Sequence, residues 1–260
     1  MAWLSSLPGW LIVLASVALF AGAALAVRWL IERTSRDHPR ENHHVVAGQL
    51  MPGLCAIFGI IAGLTLVGQV DNWNRAQDAV AREASAAARL AWATAEVPAR
   101  EAHAPLRQFL QTDLGPGWEL TLDDPLPESL KGSIQRLETG VRGAASAPGT
   151  STQAGAEMLA SLDDLTTARR ERVTAQSTHL PTLFVFALVL AGLAVVVNAA
   201  AMTVGRPNTG RLIVLLVAVV AVDIALVIAL WEPFSGAIPV SDRPLTDVVA
   251  QLRDGFFVLR

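Results

Sequence analysis

Four stretches of about twenty near-continuous apolar residues restrict this chain to folds that a lipid bilayer permits. They run from about Trp10 to Leu30, Val46 to Val67, Thr182 to Val204 and Leu212 to Trp231. A helix covers a hydrocarbon core of about 30 Å with roughly 20 residues, and it satisfies its own backbone there. Each stretch ends on a stop: Arg33, Arg36 and Arg40, then Asp71 and Asn72, then Gly205-Arg206-Pro207-Asn208, then Glu232-Pro233. Ala24-Leu25-Ala26 resembles a signal-peptide cleavage site. The first stretch nevertheless lacks a positive flank and exceeds the usual length of a signal core, so the sequence predicts an uncleaved span.

Composition agrees. The 260 residues are 52% apolar and only 17% charged, below the roughly one quarter of a soluble domain. A net charge of -3 offers no basic footprint, which argues against nucleic acid as a partner. The single cysteine, Cys55, lies in an apolar run, so no intramolecular disulfide can form.

The predicted fold is therefore all-α: four transmembrane helices with a helical extramembrane domain between the second and third. Residues 1–70 hold the first two spans and a short Arg/His-rich loop, and 71–178 the extramembrane domain. Residues 179–232 hold the last two spans, and 233–260 an amphipathic tail. Trp73, Ala76, Val80, Ala84, Ala87 and Ala91 form one helical stripe, with Asp71/Arg75 and Asp78/Arg82 four apart on the surface. No glycine or proline stands between Gly68 and Pro98, so the second span continues outward as one rod. A returning helix carries Met158, Leu162, Leu165 and Val173 on one face. Shorter helices are expected over 105–114 and 128–141, and a mobile loop over the Ala/Ser/Gly-rich 144–155. In the tail, Leu245, Val248, Val249, Leu252 and Phe256 predict an amphipathic helix lying on the membrane or on the helical domain.

Arg28, Arg33, Arg36 and Arg40 in the first short loop, with Arg206 and Arg211 in the last, place those loops in the cytoplasm by the positive-inside rule. Both termini and the helical domain then lie outside a plasma (inner) membrane.

Asp223 is the sharpest functional signal, an acid near the middle of the fourth span, where it costs several kcal/mol. By helix rise it stands within one turn of the height of Ser16 and Gly59, while Asn198 lies nearer the other surface. Two readings stay open: an ion- or proton-linked group in a pore wall, or a protonated acid that glues neighbouring helices. Gly59 and Gly63 form a G-x-x-x-G pair for close helix packing, within the chain or between subunits. Pro52 predicts a kink in the second span. His38, Glu41, His43 and His44 crowd the first loop and read as a solvated loop rather than a metal site. No P-loop, nucleophile elbow, Cys/His pair or H-E-x-x-H is present, so an enzyme, a metal and a cofactor are all unexpected.

The segments in this order are similar to the bacterial four-span membrane proteins of unknown function described as bestrophin-like, which are distant relatives of bestrophin channels. The likeness rests on Val46-Ala47-Gly48, Asp71-Asn72-Trp73, Val80-Ala81-Arg82-Glu83-Ala84, Arg169-Arg170-Glu171-Arg172, Leu180-Pro181 and Pro233-Phe234-Ser235-Gly236 with Val240. True bestrophins are pentameric anion channels. The resemblance implies a homo-oligomer of four-span subunits in the lipid bilayer, with the second span toward the axis and Ile57, Phe58 and Ile61 as candidates for an apolar constriction. No acidic calcium cluster accompanies it in this sequence. Ion conduction is the leading expectation. The alternative is a non-conducting scaffold or accessory subunit that binds a membrane protein partner through its alanine-rich helical domain.

Overall fold

The computed structural model describes residues 8–34, 43–95, 103–178, 180–204 and 210–258. Among them are eight helices and no strand: α1 (Gly9–Thr34), α2 (His43–Ala93), α3 (His103–Leu114), α4 (Glu128–Ala145), α5 (Thr152–Ser177), α6 (Thr182–Met202), α7 (Gly210–Ala229) and α8 (Arg243–Arg253). α1, the first part of α2, α6 and α7 are long and apolar enough to cross a membrane. The chain divides into two compact units, Met1–Asp71 with His179–Pro239 and Asn72–Thr178 with Val240–Arg260.

In the membrane unit, α1 packs on α6 and α7, and α6 on α7. Phe20, Leu188, Val196, Ala200, Val220 and Ala221 are almost fully buried at the centre, with Phe58 of α2 against them. Gly192 permits this approach. A Cβ there would stand 2.8 Å from Val220 Cγ1 and 3.3 Å from the Phe58 ring. α2 runs through Pro52 unbroken. Proline removes one backbone donor from a helix and frees a carbonyl a turn earlier. Beside that point Asn198 Nδ2 donates to the Ala47 carbonyl at 2.9 Å, so Asn198 ties α6 to α2.

α2 is one helix from His43 to Ala93, as the lack of breakers predicts. In the helical unit Ala76, Val80, Ala84, Ala87 and Ala91 of the predicted stripe are all buried, and Trp73 partly so. α3 packs on α4, α4 on α5, and α8 on α3 through Leu245, Val248 and Leu252. The tail helix thus joins the helical unit. Phe256 and Phe257 follow it and meet Trp92 edge-on, at 5.7 and 5.2 Å between ring centroids.

The expected mobile loop over 144–155 is instead a short turn between two helices. Ser151 caps α5 by accepting from the Ala154 amide, and Thr150 Oγ1 donates to the Ala144 carbonyl at 3.0 Å. Gly155 is small because it packs under α4, where a Cβ would lie 2.7 Å from the Ala145 carbonyl oxygen. The small residues there serve close packing. Arg36, His38, Arg40 and Glu41, and the 205–208 turn, fall outside the described residues, as do the side chains of His43 and His44.

Candidate functional site

The membrane candidates occupy different environments. Ser16 is buried on the face that α1 turns to the core. Asp223 is half-buried, at the border of the exposed α7 stripe of Val219, Val222 and Leu226. The two share no hydrogen bond among the described residues. Phe58 is buried in the core and Ile61 packs partly against it, whereas Ile57 is 54% exposed. Ile57 shares its face of α2 with Ile60, Leu64 and Val67, all exposed. A Cβ added at Gly53, Gly59 or Gly63 would meet no atom within 4 Å. Among the described residues, the G-x-x-x-G pair therefore makes no close contact with another helix.

The most elaborate polar arrangement lies in the helical unit. Val80, Glu83, Ala87 and Leu90 follow each other at three- and four-residue steps on α2, and so do Met158, Leu162 and Leu165 on α5, with Arg172 one heptad further on. Glu83 and Arg172 thus stand on buried stripes. Arg172 has no exposed surface and is the largest fully buried side chain among the described residues. Its Nε donates to Glu83 Oε2 at 2.5 Å, its Nη2 to Asp113 Oδ2, and its Nη1 to the Trp118 carbonyl at 3.3 Å. Asp113, at the end of α3, also receives Arg169 Nε at 2.8 Å. Two carboxylates and two guanidiniums, almost entirely out of water, join α2, α3 and α5.

The turn after α3 completes the site. Gly117 lies against Asp113, where a Cβ would stand 2.8 Å from the Asp113 Cα. That close approach brings Trp118 over Arg172, whose guanidinium carbon lies 5.2 Å from the ring centroid. Burying ions is expensive unless each is paired and hydrogen-bonded. Here the pairing is dense but incomplete: Glu83 Oε1 and Arg169 Nη2 are buried without a hydrogen bond among the described residues. Burial pushes the Glu83 carboxyl up to about 7, and the Asp113 charge adds to the rise while Arg172 pulls against it. For Arg172, burial opposes the charge but Asp113 and Glu83 outweigh it, so its pKa stands above the ordinary value.

Sequence reasoning gave Glu83 and the 169–172 run no role in a site. The signal was present, a charge at an a/d-type position of an apolar stripe. Among the described residues no group of three metal-ligating side chains could hold an ion.

Compared with known proteins, the chain matches a family model described as Bestrophin-like domain over residues 18–245. No curated protein and no solved structure matches it.

Proposed function

The chain belongs to the Bestrophin-like family, and from that premise we propose that it is a subunit of a homo-oligomeric membrane protein that conducts small ions. One observation carries the reading. The membrane part of α2 turns Ile57, Ile60 and Leu64 and three glycines without Cβ contacts away from its own subunit's core. Small residues let helices approach closely in lipid, and a second copy supplies the surface that this face lacks. Around a central axis, Ile57 forms the apolar constriction, with Phe58 and Ile61 backing it from the core side. Asp223 stands on the flank of α7 as an intramembrane acid that a neighbouring subunit or an aqueous path must cover. On the arginine bias of the short loops, the helical unit lies outside the cell.

The test is reconstitution of purified protein in liposomes. The expected result is a defined oligomer and an ion flux above that of empty vesicles. Ile57→Ala should raise the flux and Asp223→Asn should change it. A monomer with no flux above control overturns the reading. The second reading is a non-conducting scaffold, favoured by the exposed Trp92 and Phe256, 43% and 61% accessible at one surface of the helical unit. A stoichiometric partner that co-purifies in mild detergent, with no flux, selects it. Impermeant thiol labelling of a cysteine placed at Ala147 in a Cys55→Ala background tests orientation. Labelling of intact cells is expected.

A further inference from the structure

Outside the buried cluster, α2 and α5 enclose an open cleft of about 680 Å³ within the helical unit. Arg75 and Arg82 line it from α2, two helical turns apart, and Arg170 and Glu171 line it from α5. Three arginines thus line the cleft with one carboxylate, and Arg75 already has an interaction of its own. Glu171 holds the Arg82 Nε at 3.0 Å, which orients that guanidinium. The two Nη groups of Arg82 and the whole guanidinium of Arg170 make no hydrogen bond among the described residues. The Thr174 hydroxyl also lines the cleft.

At one end Asn72 Nδ2 donates to the Thr178 carbonyl at 2.7 Å and ties α2 to the end of α5. Asn72 follows the apolar stretch of α2 almost directly. By helix rise, Arg75 stands about 12 Å and Arg82 about 22 Å beyond Val67, where the apolar stretch ends. Arginine presents a planar fork of donors that matches phosphate oxygens, and like charges brought together on adjacent helices repel until an anion lies between them. The neighbouring cleft farther along the same helices offers a contrast. There Asp78, Asp163, Asp164 and Glu171 stand with Arg82 and Arg89, so acids prevail, and Arg82 and Glu171 line both clefts. Of the three arginines, Arg75 and Arg170 line the first of these two clefts and not the second.

We infer that this cleft binds a phosphate group, through Arg75, Arg82 and Arg170. A phospholipid headgroup and a soluble phosphate share that chemistry. The site is independent of whether the protein conducts ions.

The experiment uses the full chain purified in a neutral detergent and exposed to phosphatidylglycerol or to inorganic phosphate. Retained lipid is counted by native mass spectrometry, and melting temperature is followed against phosphate concentration. The double variant Arg75→Gln/Arg170→Gln is compared with wild type and with Arg89→Gln, a change in the acidic cleft. The expected result is at least a tenfold weaker retention of phosphatidylglycerol in the double variant and none of that loss in Arg89→Gln. If instead inorganic phosphate raises the wild-type melting temperature and not that of the double variant, the site takes the soluble anion, and the inference stands. Equal lipid retention by all three proteins, together with equal phosphate response, overturns it. Arg75→Lys/Arg170→Lys keeps the charge and removes the fork. Partial retention there confirms a folded site, and a circular dichroism melt checks each variant's fold.

Discussion

The two units solve the burial problem in opposite ways. The membrane unit is held by Phe20, Leu188, Val220 and their apolar neighbours. Its polar groups include Ser16 against the core, Thr65 on its own helix's backbone, Asn198 on a backbone carbonyl, Gln69 buried near the end of the span and Asp223 at a flank. The helical unit, which borders water, has an arginine as its largest fully buried side chain. The difference is physical. In hydrocarbon there is no water against which burying an apolar group gains anything, so packing and small residues decide association. Beside water the apolar stripe alone can drive folding, and an ionic cluster can be set inside it where partners are fixed.

The sharpest way to break this contrast is to remove Arg172. Arg172→Met leaves Glu83 and Asp113 buried with one guanidinium between them, and should destabilise the helical unit by about 3–5 kcal/mol. Chemical unfolding of the full chain in detergent, followed by hydrogen exchange of α5, reads it. Glu83→Met/Arg172→Met leaves Asp113 with Arg169 and should lose less than the single change. A loss as large or larger would show that the pairing does not hold the unit together.

Next in size is pH. The Glu83 carboxyl is raised from 4.5 to about 7, so the folded state holds a proton there that the unfolded chain releases earlier. That contribution is complete below the unfolded value and is lost as pH rises through about 7. The expected decline is on the order of 3 kcal/mol. Asp113, Arg169 and Arg172 surround the group. Glu83→Gln should flatten the slope between pH 5 and 7.5, and an unchanged slope would assign it elsewhere.

The membrane unit predicts a purely steric effect. Gly192→Ala should cost about 1–3 kcal/mol, because its Cβ has no room beside Val220. Gly63→Ala should leave the subunit's own stability unchanged, since nothing faces it, and should weaken subunit association. Unfolding in detergent and size-exclusion chromatography separate the two. The smallest effect belongs to the helical unit's surface. Arg89 and Asp164 pair at 3.1 Å with more than half of each side chain exposed, so Arg89→Ala should change stability by less than about 1 kcal/mol.

The four spans were legible because continuous apolarity needs no partner to be read. The rod of α2 was legible too, from the missing breakers after Gly68. The buried cluster was half legible. Glu83 and Arg172 stand at stripe positions, but they are 89 residues apart, and nothing local says that they meet or that Asp113 closes the set. The 144–155 segment was misread because small residues suit both mobile loops and tight contacts. Only the neighbour decides between these, here the Ala145 carbonyl over Gly155. In the membrane, only the family resemblance grouped Ile57, Phe58 and Ile61. Helical geometry turns Phe58 inward and Ile57 out.

The packing of α1 has a consequence for biogenesis. It is the first described helix to leave the ribosome, and its partners are α6 and α7, whose first residue comes about 150 positions later. At about 5–20 residues per second, α1 waits on the order of ten to thirty seconds in the membrane before either exists. During that interval Ser16 and the face around Phe20 have only lipid, α2 or the insertion machinery to lie against. The membrane unit therefore assembles late: α1 can pair with α6 first, and the core closes when α7 arrives. A chain stalled or truncated before Gly210 would expose an incomplete core to the quality-control proteases of the membrane.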